Sequence, residues 1–285
     1  MLNNIKDLIR DSNLIEELND IALFIFDLDG VIYRGKKLIN NSDIIIKNLR
    51  KRGLDIVFNT NNSTQTRDMY VEKLKKLGIK TTKEEIYTSA HIAAMALSAV
   101  KSKANVFIIG EIGLQKELEL EGHTVFLDDS AGTDIDFVVV GLDRNLTYDK
   151  VKLAQNYILD HGAKFYATNP DATLPVKKGV LPGAGVMVKA VQIATGKKPI
   201  KIFGKPHPTG INLILENYDT APDKAAIIGD RIETDIVAGN RAKIKTILVL
   251  TGVTTKEMAQ DFSDELNTPD IIINSLRELF VRQSR

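Results

Sequence analysis

Four polar clusters each come directly after a short apolar run, and their side chains are of types that do chemistry. The clusters are Asp27-Leu28-Asp29-Gly30, Asn59-Thr60-Asn61-Asn62-Ser63, Gly204-Lys205-Pro206 and Gly229-Asp230-Arg231-Ile232-Glu233-Thr234-Asp235. Parallel sheets bind ligands beyond the carboxyl ends of their strands, so clusters at these places predict one active-site edge. Together they supply carboxylates for a metal, hydroxyl and amide donors, and one cation, which are the parts needed to handle a phosphate.

The two clusters nearest the N-terminus each have a catalytic and a structural interpretation. Asp27 and Asp29 can act as nucleophile with an acid–base partner, or as metal ligands, but an Asp-Gly step also opens ordinary turns. The polar run 59–63 can cradle an anion at a helix N-terminus, whereas Ser63 or Asn62 can simply cap that helix. Capping needs one such residue, and capping and ligand binding are compatible.

The two later clusters carry the same ambiguity. Lys205 can offer a compact positive charge to a phosphate or carboxylate, although a lone loop lysine is more often a surface residue. Asp230 and Asp235 suit a hard divalent cation such as Mg²⁺, whereas Asp230 or Thr234 can also cap a helix. The common position of all four clusters, each after an apolar run, favours the catalytic interpretation.

The elements that must position these clusters are short, uninterrupted apolar runs. Runs of this kind are typical of strands buried on both faces, as in parallel sheets covered by helices. They occupy residues 22–26, 54–58, 105–109, 136–140, 163–167, 200–203, 225–228, 246–250 and 270–274. Helical periodicity appears between them, at 64–77, where Gly78 is placed as a C-cap, and at 209–217. The alternation predicts an α/β fold with a doubly wound parallel sheet.

Composition excludes several kinds of site and partner. The 285 residues contain no cysteine, which excludes disulfides, thiolate metal sites and a thiol nucleophile, and the four histidines show no paired metal spacing. A net charge of +1 gives no overall attraction to nucleic acid or an anionic membrane. The polar start has no signal-peptide pattern, and no apolar run reaches the ~18 residues of a membrane span. We therefore expect a cytoplasmic protein without nucleic-acid or membrane partners.

The ordered set of motifs resembles the haloacid dehalogenase (HAD) superfamily. More narrowly, it is similar to the class IIA subfamily of nitrophenyl phosphatase-like and phosphoglycolate phosphatase-like enzymes with a large α/β cap. The motifs are Asp27-Leu28-Asp29-Gly30-Val31, Thr60-Asn61-Asn62, Gly204-Lys205-Pro206 and Gly229-Asp230-Arg231 with Thr234-Asp235. Further family-like strings are Ala167–Asp171, Pro182–Gly185 and Ala194–Gly196. Val31 stands where many members of the superfamily have Thr.

The resemblance implies a role for each motif. Asp27 would be the nucleophile that forms an aspartyl-phosphate, and Asp29 the general acid and base. The cofactor would be Mg²⁺, because a carboxylate attacks a phosphate dianion only if positive charge offsets their repulsion. The implied metal ligands are the Asp27 carboxylate, the Asp29 main-chain carbonyl, Asp230 and, through water, Asp235. The implied phosphate-binding residues are Thr60, Asn61 and Lys205.

The resemblance also implies nested domains. Residues 1–89 and 197–285 would form a Rossmann-like HAD core, and residues 90–196 an inserted α/β cap that closes over the site. Within the cap, Asn169 and Asp171 are candidates for substrate contact, with a Pro-containing turn capped by Asn169 as the alternative. Homo-oligomerisation through the cap is likewise implied.

The sequence as a whole predicts a Mg²⁺-dependent phosphatase of small phosphorylated metabolites. Two alternatives stay open: a phospho-receiver-like signalling module, and a non-catalytic binder of a phosphate ligand on the same fold. The presence of Asp29 beside Asp27 argues against both, because neither alternative needs an acid–base group next to the acceptor. Sugar phosphates, phosphoglycolate, nucleotides and pyridoxal phosphate are all compatible substrates.

Overall fold

The computed structural model describes residues 12–176, 179–260, 262 and 264–282. The start of the chain predicts no signal peptide, and residues 1–11 of that start lie outside the described residues. The chain forms two compact units. Unit 1 comprises Met1–Asn59, Val71–Ile86 and Pro206–Arg285, and unit 2 comprises Thr60–Tyr70 and Tyr87–Lys205. Among the described residues, no helix is both long and apolar enough to cross a membrane.

Strands and helices alternate along most of the described chain. The strands are β1 (Ser12–Leu14), β2 (Leu23–Phe26), β3 (Tyr33–Arg34), β4 (Lys37–Leu38), β5 (Asp55–Thr60), β6 (Ile86–Thr88), β7 (Asn105–Ile109), β8 (Thr124–Phe126), β9 (Phe137–Val140), β10 (Lys164–Ala167), β11 (Thr173–Pro175), β12 (Val180–Pro182), β13 (Lys201–Ile202), β14 (Ala225–Gly229), β15 (Lys245–Val249), β16 (Ile271–Ile273) and β17 (Phe280–Arg282). The α-helices are α1 (Ser42–Lys51), α2 (Arg67–Lys76), α3 (Ser89–Val100), α4 (Ile112–Leu120), α5 (Tyr148–Leu159), α6 (Ala184–Thr195), α7 (Thr209–Asn217) and α8 (Val237–Ala242).

The local predictions are largely confirmed. Each of the nine apolar runs overlaps a strand, and the two periodic segments contain α2 and α7. Gly78 adopts φ +86° after α2, the left-handed conformation expected of a C-cap glycine. Several short strands lie outside the predicted runs, because their residues are not part of a longer uninterrupted apolar run. They are β1, β3, β4, β6, β8, β11, β12 and β17.

A six-stranded sheet forms the centre of unit 1, in the order β16-β15-β14-β2-β5-β6. The first five of these strands pair in parallel, and all four residues of β2 are fully buried, as an uninterrupted apolar run predicts. The chain continues from β2 to β5 on one side, whereas β14 lies on the other side of β2. The gap beyond the carboxyl ends of β2 and β14 is therefore a topological switch point, where doubly wound sheets bind ligands.

Unit 2 has a sheet of its own, with five parallel strands in the order β13-β10-β9-β7-β8. Helices α3 and α4 pack on each other, as do α5 and α6. The buried core includes Phe107, Val138, Tyr157 and Val191. The predicted α/β class is confirmed. The cap boundaries at 90–196 stay a prediction, since unit 2 also contains residues 60–70, 87–89 and 197–205.

A buried histidine in unit 2 is held in its neutral form. His123 is 4% exposed, and its Nδ1 accepts a hydrogen bond from the Ala104 N–H at 3.1 Å. Its Nε2 lies 3.0 Å from Ser98 Oγ. Burial lowers the pKa of His123, and the opposing effects of the Ala94 main chain, Glu121 and Asp136 are smaller. A protonated Nδ1 could not accept the Ala104 bond.

We predict that His123 makes the protein less stable at mildly acidic pH. Because its pKa is lower in the folded state, the unfolded chain binds the proton first as pH falls below the ordinary histidine value of about 6.5. His123→Asn keeps an acceptor near Nδ1 but cannot be protonated. Urea unfolding should show a smaller fall in free energy of unfolding from neutral to acidic pH for His123→Asn than for the wild type. Equal falls in both proteins would contradict the prediction.

Candidate active site

Strand β2 delivers Asp27 to the switch point of unit 1. The Asp27 N–H donates to the Ile228 carbonyl at 2.9 Å, which continues the parallel pairing of β2 with β14. The chain then turns at Gly30, which has φ +85° and donates its N–H to the Tyr33 carbonyl at 2.8 Å. This turn exposes Asp29 and leaves Asp27 half-buried. The Asp-Gly turn is therefore present, and it separates the two carboxylates.

Strand β14 delivers the other two acids. Asp230 follows the strand directly and is 2% exposed, and Asp235 lies in a π-helical turn, Ile232–Ile236, and is 1% exposed. The Arg231 N–H donates to Asp235 Oδ2 at 3.1 Å, and the Asp235 N–H donates to the Arg231 carbonyl at 3.0 Å. This compact turn brings two residues five positions apart to the same strand end.

Asp27, Asp230 and Asp235 form one acidic cluster. Each offers a carboxylate oxygen, and the three oxygens lie within 4.8 Å of one another. Within the part of the chain that the structure describes, this is the only group of three or more acidic or histidine side chains with the spacing of a metal site. An all-oxygen donor set suits a hard cation such as Mg²⁺.

Glycines make room for this cluster. A Cβ at Gly30 would lie 2.3 Å from Asp230 Oδ2, and a Cβ at Gly229 would lie 2.1 Å from the Asp235 Cβ. Any larger residue would displace a carboxylate, so these glycines are needed for close packing. The residues of unit 1 therefore fit a magnesium ion in both donor chemistry and shape.

A loop outside the four predicted clusters also contacts these acids. It comprises residues 251–254, after β15. The Val253 N–H donates to Asp230 Oδ2 at 2.6 Å, and Thr251 Oγ1 donates to the Gly30 carbonyl at 2.7 Å. The sequence indicates this loop only by its position after an apolar run. The loop contains none of the acidic or basic side chains that suggest a site.

The environment of Asp29 differs from that of the cluster. Its side chain reaches solvent, but the surrounding protein removes part of its hydration, which raises the pKa of this carboxyl. Lys73, the Gly35 N–H and Arg231 lower the pKa and offset part of that effect. Lys73 is held with its Nζ 3.5 Å from the centre of the Tyr33 ring. A carboxyl with a raised pKa keeps its proton to higher pH, which suits a general acid.

Unit 2 brings the predicted phosphate-binding residues together. Asn61 Nδ2 donates to the Lys205 carbonyl at 2.8 Å, and Thr60 Oγ1 accepts a 3.3 Å bond from the Asn62 N–H. A Cβ at Gly204 would lie 2.6 Å from Asn61 Oδ1, so glycine allows the two motifs to touch. Lys205 is 4% exposed and is not the surface lysine of the alternative interpretation.

Asn169 and Asp171 contact Asn61 in this structure. Asn169 Nδ2 donates to the Asn61 carbonyl at 2.7 Å, and Asp171 Oδ1 accepts from Asn61 Nδ2 at 3.0 Å. The Asp171 N–H also donates to Asn169 Oδ1 at 3.2 Å, which is the Asn-capped turn considered as the alternative. A contact with substrate stays a prediction for both residues.

A buried ion pair anchors the segment that follows Asn61. Arg67 Nε donates to Glu117 Oε2 at 2.8 Å, and the Arg67 N–H donates to Glu117 Oε1 at 3.1 Å. His91 Nδ1 lies 3.4 Å from Glu117 Oε2. Burial opposes ionisation of Glu117, but His91 and Arg67 outweigh it and hold the pKa of this carboxyl below its usual range. The pair fixes the start of α2 to α4.

Several known proteins are similar to this chain in sequence or in structure. A family model described as haloacid dehalogenase-like hydrolase matches residues 24–124, and one described as HAD-hydrolase-like matches residues 202–279. The 5′-nucleotidase YutF of Bacillus subtilis is 34% identical over 255 residues, which are 90% of this chain and 96% of that protein. The chain belongs to the haloacid dehalogenase-like hydrolase family.

Solved structures of family members have the same fold. The 4-nitrophenylphosphatase of Thermotoga maritima matches with a TM-score of 0.85 at 35% identity, covering 93% of this chain and 98% of that chain. The glycerol phosphate phosphatase of Mycobacterium tuberculosis, solved in complex with magnesium, matches with a TM-score of 0.84 at 30% identity. That match covers 94% of this chain and 78% of that chain. The predicted class IIA branch of this hydrolase family is confirmed.

We predict that Glu117→Ala strongly destabilises this hydrolase. The substitution leaves the Arg67 guanidinium, whose side chain is 13% exposed, without its buried partner, and breaking a buried pair typically costs about 3–5 kcal/mol. Glu119→Ala is the matched control on the same helix, since its pairing with Lys116 lies nearer the surface and is worth about 1 kcal/mol or less. Urea unfolding of both variants measures the difference. Similar losses would contradict the prediction.

Proposed function

We propose that this hydrolase is a magnesium-dependent phosphatase that acts on small-molecule phosphomonoesters through an aspartyl-phosphate intermediate. The observation that carries the proposal is the cluster of Asp27, Asp230 and Asp235 at the switch point of unit 1. The phosphatase activities in the names of its relatives support the reaction class, and the magnesium complex of one relative supports the metal. We propose that the Asp27 and Asp230 carboxylates, the Asp29 main-chain carbonyl and, through water, Asp235 hold the ion.

In the proposed reaction, Asp27 is the nucleophile that attacks phosphorus, and Asp29 is the general acid and base. Magnesium, when bound, would offset the repulsion between the Asp27 carboxylate and the phosphate dianion. A bond forms from a carboxylate oxygen of Asp27 to phosphorus, and the bond from phosphorus to the leaving oxygen breaks. Asp29 donates its proton to that oxygen. In the second step Asp29 accepts a proton from water, whose oxygen attacks phosphorus, releases inorganic phosphate and restores Asp27.

We propose that Thr60, Asn61 and Lys205 bind the phosphoryl oxygens. The burial of Lys205 supports this role, because a buried ammonium attracts an anion more strongly than an exposed one does. The Asn61 side-chain amide already donates to Asp171 and to the Lys205 carbonyl, so its main-chain N–H is the group that we assign to phosphate.

The substrate is a small phosphorylated metabolite in this proposal. The names of the relatives describe action on a nucleotide, an aryl phosphate and a glycerol phosphate. We propose that Asn169 and Asp171 contribute to the choice of leaving group. A phosphate-release screen with sugar phosphates, phosphoglycolate, nucleotides and pyridoxal phosphate tests this proposal, and Asp171→Asn should change the ranking of substrates if Asp171 contacts them.

Two further proposals concern the state of the protein in the cell. We propose that it is cytoplasmic, and that it self-associates through residues 90–196. Light scattering of the full chain and of a variant with charged substitutions on that segment tests the second proposal, which predicts a lower mass for the variant.

We predict that Asp27→Asn lowers phosphate release from 4-nitrophenyl phosphate by more than about 1,000-fold, because the amide is not a nucleophile. EDTA should abolish the wild-type activity, and added Mg²⁺ should restore it. The matched control is Asp20→Asn, the same substitution at a side chain that is 90% exposed, and it should keep full activity.

Other outcomes of this experiment support the alternatives. A stable phosphorylated Asp27 without turnover would favour the phospho-receiver-like module. Thermal stabilisation by phosphate compounds without hydrolysis of any of them would favour the non-catalytic binder. Full activity in Asp27→Asn would contradict the proposed mechanism.

A further inference from the structure

The loop of residues 251–254 holds Asp230 at two points. The Val253 N–H donates to Asp230 Oδ2 at 2.6 Å, and the Thr254 N–H donates to the Asp230 main-chain carbonyl at 3.1 Å. The first of these is a hydrogen bond to a buried carboxylate, which belongs to the stronger class of protein hydrogen bonds. The loop therefore determines the orientation of a carboxylate in the acidic cluster.

The same loop is packed against the cluster without spare room. A Cβ at Gly252 would lie 1.8 Å from Asp230 Oδ2, and a Cβ at Gly30 would lie 3.1 Å from the Gly252 Cα. Thr251 Oγ1 joins the loop to the Gly30 carbonyl at 2.7 Å, and Arg34 Nη2 donates to the Thr251 carbonyl at 2.6 Å. These contacts fix the loop to the turn that follows Asp27, so Asp230 cannot rotate unless the loop moves.

We infer that residues 251–254 are positioning residues that restrict Asp230 to monodentate coordination and thereby give the site a preference for Mg²⁺ over Ca²⁺. This inference rests on the proposed magnesium site. Bidentate coordination uses both oxygens of one carboxylate. At Asp230 it would compete with the Val253 hydrogen bond to Oδ2 and would require movement against Gly252.

The chemistry of the two ions makes this restraint selective. Mg²⁺ binds in a near-ideal octahedron with short bonds, and it is served by carboxylates that each present one oxygen from a fixed direction. Ca²⁺ takes six to eight oxygens in a looser geometry and commonly binds carboxylates in bidentate fashion. The Arg231 N–H likewise donates to Asp235 Oδ2, which orients the carboxylate that is proposed to reach the ion through water. Asp230, a direct ligand in the proposed site, is thus held in the manner that suits the smaller ion.

The test measures Mg²⁺ and Ca²⁺ binding to the full chain without substrate, by calorimetric titration. Wild-type protein should bind Mg²⁺ more tightly than Ca²⁺. Gly252→Ala displaces Asp230 and should weaken Mg²⁺ binding by about 10-fold or more, the usual size of effects from groups that orient metal ligands. Ca²⁺ binding should weaken less, so the preference for Mg²⁺ falls. Thr251→Val removes one hydrogen bond at nearly constant volume and should change the preference in the same direction by a smaller factor.

Gly53→Ala is the control for general destabilisation. It introduces the same side chain in unit 1, at φ +79° with nothing within 4 Å of the new Cβ, and Gly53 precedes β5 at the amino edge of the sheet. Its ratio of dissociation constants should equal that of the wild type. An unchanged ratio in both loop variants would overturn the inference while leaving the magnesium site intact. A wild-type protein that binds no Mg²⁺ would overturn the proposed site itself, and an active wild type that prefers Ca²⁺ would overturn the selectivity alone.

Discussion

The mutual repulsion of Asp27, Asp230 and Asp235 is the constraint on which unit 1 depends. With their oxygens within 4.8 Å, each ionised pair repels by roughly 3 kcal/mol or more at an effective dielectric constant of about 20. Asp230 and Asp235 are buried, so water screens them little. Hydrogen bonds from the Val253 and Arg231 main-chain N–H groups stabilise the negative charge of Asp230 and Asp235. A bound cation would offset most of the remaining repulsion.

The fold makes such crowding feasible because rigid strands deliver the acids. Strands β2 and β14 are adjacent, parallel and fully buried, so the residues that follow them emerge side by side at one edge. The chain leaves the two strands in different directions, which opens space beyond their ends. The glycines at positions 30, 229 and 252 then let the backbone approach the carboxylates more closely than any other residue would allow.

In unit 2 the hydrogen bonds of Asn61 hold the predicted phosphate-binding residues together. Asn61 donates to Asp171 and to the Lys205 carbonyl, and its own carbonyl accepts from Ser89 Oγ and from Asn169. Asn61 thereby keeps the Thr60 and Lys205 motifs in contact. Hydrogen bonds are directional, so this arrangement fixes the geometry of the Lys205 motif through both main-chain and side-chain acceptors.

The fold class, the family and most of the candidate site follow from the sequence alone. Buried parallel strands leave a local signal, since runs such as 22–26 and 225–228 must be apolar throughout. The acids that follow these runs are recognisable because their chemistry is in their side chains. Asp27, Asp230 and Asp235 can thus be assigned to one site from their types and their positions after apolar runs.

The contacts that these residues make depend on the tertiary structure. The loop 251–254 acts mainly through main-chain N–H groups and the absence of a Cβ, which no side-chain pattern reveals. Asn61 and Asp171 are 110 residues apart in the chain, and their hydrogen bond depends on how strands from distant segments assemble. The burial of Lys205 has the same origin. Local sequence patterns specify secondary-structure elements and reactive side chains. Packing between distant segments determines which of these side chains are buried, which are paired and how they are oriented.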